Sequence, residues 1–488
     1  MPKSYIFLIF FFLYSIALLY FGKTGYKEIE TIDDFFSGGR KMGLMACVST
    51  FLATWFSAAS MQGLTGAIYL YGYTFIFYSV IPWFLGAICL VALVKKLRLS
   101  GAMTIPEYLN KRYNSKFLQV VGGLIVIVNF IMYLVIQIRG FGLVISEFLE
   151  ISYSLSIIIV YIFILYTTFG GMFSIAKSDG FNSFIIIIGV MIAVAVVYQK
   201  AEGINGIITQ AKLIEGYGIE GAYYTPKGSL LKPLAGGNMT LLGLVSAFFG
   251  WGLGLAANPQ YTVRIIAAKD DKTAKKMIVY SVCVLSIIYI ALLVIGLGSR
   301  VIRPSVESTH SIDALFPYVF NSQFPSIISG VVLLAIIAAA ISTANSQLLV
   351  VSSSFVYDIY KLVKPRNGND DGLLYLSRII VFLAGSASLW LALSPPESLI
   401  IYGGYVWGIF SAAFFLPLYG GLFWKKATRN AAILSMLTGL MTMIVLMLKA
   451  SKSQVLGEVN PALPSVMLAT IVFICISLYE EKINEVDY

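Results

Sequence analysis

Four polar side chains interrupt an otherwise apolar stretch that covers residues 327–356. Ser342, Asn345 and Ser346 are spaced i, i+3 and i+4, so they share one face of a helix, and Thr343 lies beside them. Neutral oxygens suit a small hard cation, so the cluster indicates a sodium site. The alternative is that these groups bond to the carbonyl four residues back or join neighbouring helices.

The elements that position this cluster are predicted to be transmembrane helices. The chain has 488 residues, of which 58% are hydrophobic and 12% charged. Thirteen apolar windows are each long enough to cross a bilayer, which predicts an all-α integral membrane protein. These windows cover residues 4–22, 42–69, 73–95, 117–147, 151–169, 180–199, 238–263, 277–299, 326–357, 373–393, 397–424, 428–449 and 462–480.

Two of the predicted spans contain helix-breaking residues. In the second span, hydroxyls and glycines cluster, and we expect the helix to unwind near Ala53 to Phe56. Five spans later, residues 249–254 read Phe-Gly-Trp-Gly-Leu-Gly, and Asn258 and Pro259 follow. Interrupted helices at corresponding places in two halves are typical of inverted-repeat secondary transporters, because unwound backbone at membrane depth lines a cavity or holds an ion. The glycines could equally be packing notches between helices.

Several local patterns along the chain resemble those of the sodium/solute symporter family, which contains sodium–proline, sodium–pantothenate, sodium–sialic acid and sodium–glucose carriers. The matching patterns are Asp34-Phe35-Phe36-Ser37-Gly38-Gly39-Arg40, Gly63-Leu64-Thr65-Gly66-Ala67-Ile68-Tyr69, Thr104-Ile105-Pro106-Glu107-Tyr108-Leu109, Tyr166-Thr167-Thr168-Phe169-Gly170-Gly171, Trp251-Gly252-Leu253-Gly254, Ser342-Thr343 with Gln347-Leu348-Leu349, and Tyr405-Val406-Trp407 with Thr428-Arg429-Asn430. The resemblance implies the leucine-transporter (LeuT) type fold, with two inverted five-helix repeats, one helix before them and two after.

This resemblance also implies how the chain is divided. Residues 1–488 are expected to form a single transporter unit. Its expected parts are an N-terminal helix and inner loop (1–41), a first five-helix repeat (42–200), an outer loop (201–237), a second five-helix repeat (238–424), and two C-terminal helices with a short tail (425–488).

The family's main sodium site maps onto five residues of this chain. The resemblance implies that sodium is held by the backbone carbonyls of Ala53, Phe56 and Ala339 and by the hydroxyls of Ser342 and Thr343. All five ligands are neutral oxygens, in agreement with the chemistry inferred for the polar cluster.

Other positions concern a second sodium ion and the ion's exit. Trp55 stands where family members with a second site usually have a hydroxyl or carboxylate residue, and Asn345 replaces a serine, so we expect one sodium ion per cycle. Asp179 matches a family aspartate linked to sodium release. Ser178 and Asp179 also fit a helix N-cap at the inner end of the sixth span, and the two roles are compatible.

Arg139 is predicted to lie within the fourth span. An intramembrane arginine requires water, a partner or a ligand, and its guanidinium suits a carboxylate, so we expect an acidic solute. The alternatives are a structural pair, for example with Glu147, or a side chain that reaches the outer interface. The remaining residues expected to bind the solute are Trp251, Ser57, Ser60, Gln62, Gln137 and Trp407.

The distribution of charge predicts the orientation. With the N-terminus outside and the C-terminus in the cytoplasm, 24 of the 34 lysines and arginines, Arg264 among them, fall in inner segments. Nine fall outside and Arg139 lies in the membrane, so the net charge of +10 reflects topology and anionic lipid and requires no nucleic acid. We expect a bacterial cytoplasmic membrane and no obligate protein partner.

These features predict a sodium-coupled symporter that imports a small carboxylate-bearing solute by alternating access. The alternatives are a proton-coupled carrier of the same fold, a sodium-coupled sugar or polyol transporter, a transporter-like sensor, and a channel. The sequence shows no paired nucleophile and base, so no enzymatic activity is expected.

Overall fold

A computed structural model describes residues 3–307, 311–364, 370–394, 398–450 and 459–486. Within these ranges the chain is almost entirely helical. The helices are α1 (Lys3–Tyr26), α2 (Ile32–Ser37), α3 (Leu44–Trp55), α4 (Leu64–Tyr71), α5 (Thr74–Ser79), α6 (Pro82–Leu99), α7 (Ile105–Tyr113), α8 (Lys116–Leu149), α9 (Tyr153–Thr168), α10 (Gly171–Lys200), α11 (Gly203–Ala211), α12 (Leu241–Ala256), α13 (Pro259–Ala267), α14 (Asp271–Ile302), α15 (Leu315–Gln323), α16 (Ser326–Ser354), α17 (Lys361–Val363), α18 (Asp370–Ala392), α19 (Leu399–Phe423), α20 (Arg429–Ala450) and α21 (Ala462–Val486).

Shorter elements join these helices. One hairpin, β1 (Gly216–Ile219) and β2 (Ala222–Thr225), pairs antiparallel with Tyr217 opposite Tyr224. The π-helical segments cover Ala59–Gly63 and Phe355–Tyr360, and the 3-10 turns cover Gly38–Arg40, Ser229–Leu231, Pro233–Gly237 and Ile312–Ala314.

The number of membrane-spanning helices is eleven in the described residues, or up to twelve when the bent pair α3 and α4 is taken as one span. The predicted count of thirteen is therefore not confirmed. The window predicted at 151–169 corresponds to α9, which has only 16 residues. A helix of that length extends about 24 Å, less than the hydrocarbon thickness of about 30 Å.

The second span is broken, as predicted. Helix α3 ends at Trp55, and Phe56 has extended backbone angles of φ −82° and ψ 108°. The chain becomes helical again through the π-helical segment and α4, and the two arms are bent by 55°. Ala53 is still helical, so the unwound stretch is shorter than expected and begins at Phe56.

The seventh span is interrupted later than predicted. Helix α12 continues through Gly250–Gly254, and the break falls at Ala257 and Asn258, immediately before α13. The cause is local, because the Asn258 side chain accepts from the Gln260 N–H and Pro259 starts the new helix without needing a backbone donor. The alternative interpretation of the glycines as packing notches is the correct one for this segment.

Helix α16 occupies the centre of the bundle. Of the 18 most apolar consecutive residues in the span that contains α16, 83% are buried by protein. The corresponding value for α1 is 17%. A helix that is apolar all round is stable in such a position because neighbouring helices cover every face. The polar residues 342–346 therefore lie far from lipid and must find partners within the protein.

We predict that Gly254→Ala destabilises the protein. A Cβ at this position would lie 2.6 Å from the Trp407 carbonyl oxygen, so α12 and α19 would have to separate, at a cost of about 1–3 kcal/mol. Gly180→Ala is the matched control in helix α10, because its Cβ would meet nothing within 4 Å. Thermal unfolding in detergent should show a lower midpoint for Gly254→Ala and an unchanged or higher one for Gly180→Ala. Equal midpoints would contradict the packing role.

Candidate functional site

The break after Trp55 faces the hydroxyls of α16. Ser342 Oγ donates to the Ala53 carbonyl oxygen at 2.9 Å and lies 3.1 Å from the Ala339 carbonyl oxygen. Thr343 Oγ1 lies 3.4 Å from the carbonyl oxygens of both Ala53 and Phe56. The five groups predicted to bind sodium are therefore brought together by the broken helix and its neighbour.

The same oxygens have the chemistry and spacing that a sodium ion requires. They are neutral, and all five residues have no exposed surface. Oxygen ligands held about 2.4 Å from a cation of this size stand about 3–3.5 Å apart, close to the separations observed between hydroxyl and carbonyl oxygens. The carbonyls of Ala53 and Phe56 are available because they lie at the end of α3, where the last turn of a helix lacks partners for its carbonyl oxygens.

A chain of polar contacts continues along α3 and α16 from this cluster. The hydroxyls of Thr54 and Ser346 are 2.6 Å apart. Arg264, from α13, donates to the Ser346 hydroxyl and, at 2.8 Å, to the Gln260 carbonyl oxygen. Arg264 lies within α13 and has no exposed surface, so it belongs to a buried helix and not to a loop that follows the seventh span. Its position shortly after Asn258-Pro259, inside an apolar stretch, is the sequence signal that could have identified it.

Asp179 lies beside this chain of contacts. Asp179 is fully buried in α10, and its carboxylate accepts a hydrogen bond from the Thr50 hydroxyl at 2.6 Å. Thr50 lies in α3, one helical turn before Ala53. Because α10 begins at Gly171, Asp179 is in the helix interior and the N-cap interpretation is wrong. Thr50, Thr54 and Arg264 were not predicted as members of the site.

The residues considered for a second sodium ion are already engaged with other side chains. Asn345 Oδ1 accepts from the hydroxyls of Thr167 and Thr168 at 2.9 and 2.8 Å. The indole of Trp55 packs against Phe51 and Trp83, with ring centroids 5.6 and 5.8 Å apart.

Three of the polar residues predicted to bind the solute, Ser57, Ser60 and Gln62, lie at the break or in the arm that follows it, residues 57–71. The fourth, Gln137, contacts this arm from α8. Gln137 Oε1 accepts from the Ala58 N–H at 3.3 Å, and Gln62 Nε2 donates to the Gly140 carbonyl oxygen at 3.0 Å. The Ser60 hydroxyl lies 3.1 Å from the Tyr289 hydroxyl. Ser57, at the break itself, is only 2% exposed. The arm is thus joined to α8 and α14 by side chains.

Gly140 allows this close approach between α8 and the broken helix. A Cβ there would lie 2.4 Å from the Ala58 Cβ and 2.7 Å from Gln62 Oε1. Any larger residue at 140 would push the arm away from α8.

Arg139 forms a buried ion pair away from the polar cluster. Its Nη2 lies 3.3 Å from Asp313 Oδ2, and the Asp313 carboxylate also accepts from the Leu399 N–H at the start of α19. Burial raises the pKa of Asp313, while the Arg139 guanidinium and the Leu399 amide oppose that increase. A structural pair was one of the alternatives considered, but with Glu147, which instead accepts from Asn321 Nδ2 at 3.2 Å.

The two predicted tryptophans lie together beside the break. The ring centroids of Trp251 and Trp407 are 4.9 Å apart, and both side chains are 2% exposed. Trp83 contacts both rings, with centroids 6.1 and 5.9 Å away, and was not predicted. Trp83 is in the middle of the third predicted span, 73–95, where an aromatic residue gives no signal that separates a site from ordinary packing.

Residues 35–439 match the model of the sodium:solute symporter family. The chain belongs to this family. Two bacterial symporters are similar to it over most of their length. Sodium/proline symporter 2 of Staphylococcus saprophyticus is 28% identical over 464 residues, covering 91% of this chain and 86% of that protein. The sodium/pantothenate symporter of Escherichia coli is 27% identical over 451 residues, covering 91% and 89%.

Solved structures of other transporters share the fold of this symporter. A Na+-coupled sialic acid symporter in a substrate-bound outward-open state matches with a TM-score of 0.76 at 20% identity, covering 95% of this chain and 96% of that one. The nucleobase-cation-symport-1 family transporter Mhp1, in a closed conformation, matches with a TM-score of 0.52 at 12% identity, covering 90% and 95%. These likenesses confirm the LeuT-type fold.

Membership of the family confirms several predictions. The protein is a transporter and not an enzyme, its transported species are a small-molecule solute and sodium, and it is a multi-pass protein of the plasma membrane. Sodium is cargo in such a carrier, and the oxygens between α3 and α16 fit it.

We predict that Thr343→Val weakens the response to sodium. The substitution keeps the shape of the side chain but removes the hydroxyl that faces the carbonyls of Ala53 and Phe56. The half-saturating sodium concentration should rise about tenfold or more, because a bond from oxygen to a charged group contributes about 1.5–3 kcal/mol. Ser353→Ala is the control, since this buried hydroxyl of α16 donates only to the Val350 carbonyl oxygen. Equal sodium responses in both variants would remove Thr343 from the ion site.

We also predict that Arg139→Gln destabilises the protein and that a second change rescues it. Removing the guanidinium leaves the Asp313 carboxylate buried without its ion-pair partner, which costs about 3–5 kcal/mol. Asp313→Asn in the same chain removes the isolated charge, so the double variant should recover most of the lost thermal stability. A double variant as unstable as Arg139→Gln would show that the pair does not account for the loss.

Proposed function

We propose that this symporter imports a small carboxylate-bearing solute together with one sodium ion by alternating access. The observation that carries the proposal is the cluster of five buried neutral oxygens between the broken α3 and the central α16. Ala53, Phe56, Ala339, Ser342 and Thr343 bind the ion in this account.

The position of the ion site explains how sodium and solute are coupled. The site bridges α3 and α16, and the solute residues Ser57, Ser60 and Gln62 follow on the other side of the same break. Sodium therefore stabilises the one arrangement of α3 and α16 in which the segment beyond the break holds Ser57, Ser60 and Gln62 in position to bind the solute. Coupling requires such a difference in affinity between conformations. A membrane potential of 100 mV adds about 2.3 kcal/mol for each charge moved inward.

The ion's exit passes Asp179 in this proposal. Asp179 and Thr50 lie one helical turn from Ala53, on the side where Arg264 contacts Ser346. A carboxylate there attracts the ion when the inner side opens. One sodium ion per cycle is supported by the engagement of Asn345 with Thr167 and Thr168 and by the apolar surroundings of Trp55.

The solute is proposed to be an acid because buried donors of residues near the break lack hydrogen-bond partners. The N–H groups of Gln137 Nε2, Trp55 Nε1 and Trp251 Nε1 are buried and have no hydrogen-bond partner among the described residues. Buried donors of this kind favour a ligand that supplies acceptors. The relatives named for proline and pantothenate transport act on carboxylic acids. Arg139 binds the solute carboxylate in exchange for Asp313 when the outer side opens.

Contacts among the segments predicted to be cytoplasmic support the proposed orientation, in which the N-terminus is outside and the C-terminus is inside. Arg98 donates to the carbonyl oxygens of residues 265, 266 and 268, and Arg112 donates to the Gly421 carbonyl oxygen. Lys177 pairs with Glu28, and Lys426 with Glu481. The segments predicted to be inside thus contact one another at one end of the bundle. Similar bacterial symporters support a bacterial cytoplasmic membrane.

The proposal is tested by uptake into proteoliposomes. An inward sodium gradient should drive accumulation of a radiolabelled acid from a panel that includes proline, pantothenate and a betaine, and a proton gradient without sodium should not. The double variant Arg139→Gln/Asp313→Asn removes both members of the ion pair, so no buried charge is left without a partner. A raised KM for the acid in this variant therefore reports the loss of a contact between Arg139 and the solute. Accumulation driven by protons alone, or sodium-driven accumulation of neutral sugars only, would contradict the proposal.

A further inference from the structure

Four aromatic side chains from four different helices form a closed box beside the break. They are Trp55 of α3, Trp83 of α6, Trp407 of α19 and Tyr261 of α13, and we call them the aromatic box. Consecutive ring centroids around the box are 5.8, 5.9, 6.0 and 5.4 Å apart. None of the four side chains is more than 5% exposed.

The rings of the box are inclined to one another. Neighbouring planes make angles of 76°, 37°, 73° and 50°, so the rings do not form a parallel stack. Trp251 packs on Trp83 and Trp407, and Tyr289 packs on Trp83 with centroids 4.7 Å apart. Six large rings thus pack together beside the break.

A cation at the aromatic box would be attracted by the faces of the rings and not by a carboxylate. The buried carboxylates of the described residues are Asp179, Asp313 and Asp358. Asp179 is bonded to the Thr50 hydroxyl, Asp313 to Arg139 and the Leu399 amide, and Asp358 to Thr104 and Gln119.

Ring faces attract cations over the distances available here. The centre of a planar four-sided box with these edges lies about 4 Å from each centroid, within the range of about 6 Å over which aromatic faces attract a cation. Tryptophan, which supplies three of the four members, has the strongest such interaction.

A quaternary ammonium fits this environment better than a primary one. A primary ammonium has three N–H donors, and ring faces leave them without acceptors, which is costly in a buried site. An alkylated nitrogen has no N–H group, and its methyl groups gain from burial against the rings.

The solute that fits must also tolerate the positive charges nearby. Arg264 lies three residues after Tyr261, and the proposed sodium ligand Phe56 directly follows Trp55. A carboxylate on the same solute, which Arg139 binds in the proposed function, makes the solute neutral overall, so it adds no net charge to this region. We propose that the aromatic box binds the quaternary ammonium group of a zwitterionic solute, a trimethylammonium carboxylate of the betaine type. The carboxylate part of this inference rests on the proposed function.

The aromatic box borders an apolar cavity. This cavity lies between the α5–α6 region and α14, and two members of the box, Trp55 and Trp83, form part of its wall together with Tyr289. Among the described residues of the lining, Ser286 is the one polar side chain apart from the aromatic rings, so methyl groups on the cavity side of the box meet mostly apolar surface.

The first experiment compares ligands that differ in charge but not in shape. Sodium-dependent binding to the purified protein is measured for glycine betaine and for 3,3-dimethylbutanoate, in which a carbon replaces the nitrogen. We expect betaine to bind about tenfold more tightly, because cation–π attraction requires the charge. Glycine, with a primary ammonium, should bind more weakly than betaine.

The second experiment changes the box. Trp83→Leu should weaken betaine binding about tenfold and leave the affinity for 3,3-dimethylbutanoate within about twofold, whereas Trp83→Phe, which keeps a ring face, should give an intermediate loss for betaine. Trp390→Leu is the control, because this tryptophan of α18 is 72% exposed. The Phe variant keeps the test decisive if the Leu variant does not fold.

The outcomes separate this inference from the proposed function. Sodium-dependent binding of choline at least as tight as that of betaine supports the box and contradicts the carboxylate. Equal binding of betaine and 3,3-dimethylbutanoate supports the carboxylate and overturns the box. Preference for glycine, or no sodium-dependent binding of either quaternary compound, overturns the box as well.

Discussion

The contact between the broken α3 and the central helix α16 is the interaction on which the rest of this structure depends. Carbonyl oxygens freed at membrane depth are costly unless polar groups face them. Ser342 and Thr343 meet this requirement for Ala53 and Phe56. The same groups that relieve the break form a set of neutral oxygens around one point. Stability of the broken helix and affinity for a small cation therefore come from one arrangement.

Neighbouring helices are shaped so that the broken span fits tightly against them. Gly140 lets α8 approach Ala58, and Gly254 lets α12 approach the backbone of α19 at Trp407. Side chains of Gln62 and Gln137 bind backbone groups across the contact between α8 and the broken span. A small displacement of α3 or α16 is thus transmitted to the arm that carries Ser57 and Ser60, because the packed helices leave little room for independent movement.

Part of this arrangement could be predicted from the sequence. The break in the second span was predicted because hydroxyls and glycines stand where a membrane helix should be apolar, and the stripe at 342–346 was recognised for the same reason. The break in the seventh span was misplaced because glycine alone does not distinguish a hinge from a packing notch. Asn258-Pro259, a cap followed by a residue without an N–H, was the better signal.

Partners distant in sequence could not be predicted. Arg139 was recognised as an intramembrane charge, but its partner Asp313 lies 174 residues later in a short 3-10 turn, and no local pattern relates the two. Arg264 was assigned to a loop because positive charge usually marks a membrane boundary. The aromatic box combines rings from four helices, and only the tertiary structure shows that Trp83 and Tyr261 belong with Trp55 and Trp407.

Equilibrium binding of ²²Na+ to the purified protein tests whether the oxygens between α3 and α16 hold the ion. The number of ions bound per chain is measured for the wild type and for the double variant Ser342→Ala/Thr343→Val, with folding of both checked by thermal unfolding. We expect one ion per wild-type chain and none per chain of the folded variant at the same sodium concentration. An ion retained by the folded variant would place the sodium site elsewhere in the protein.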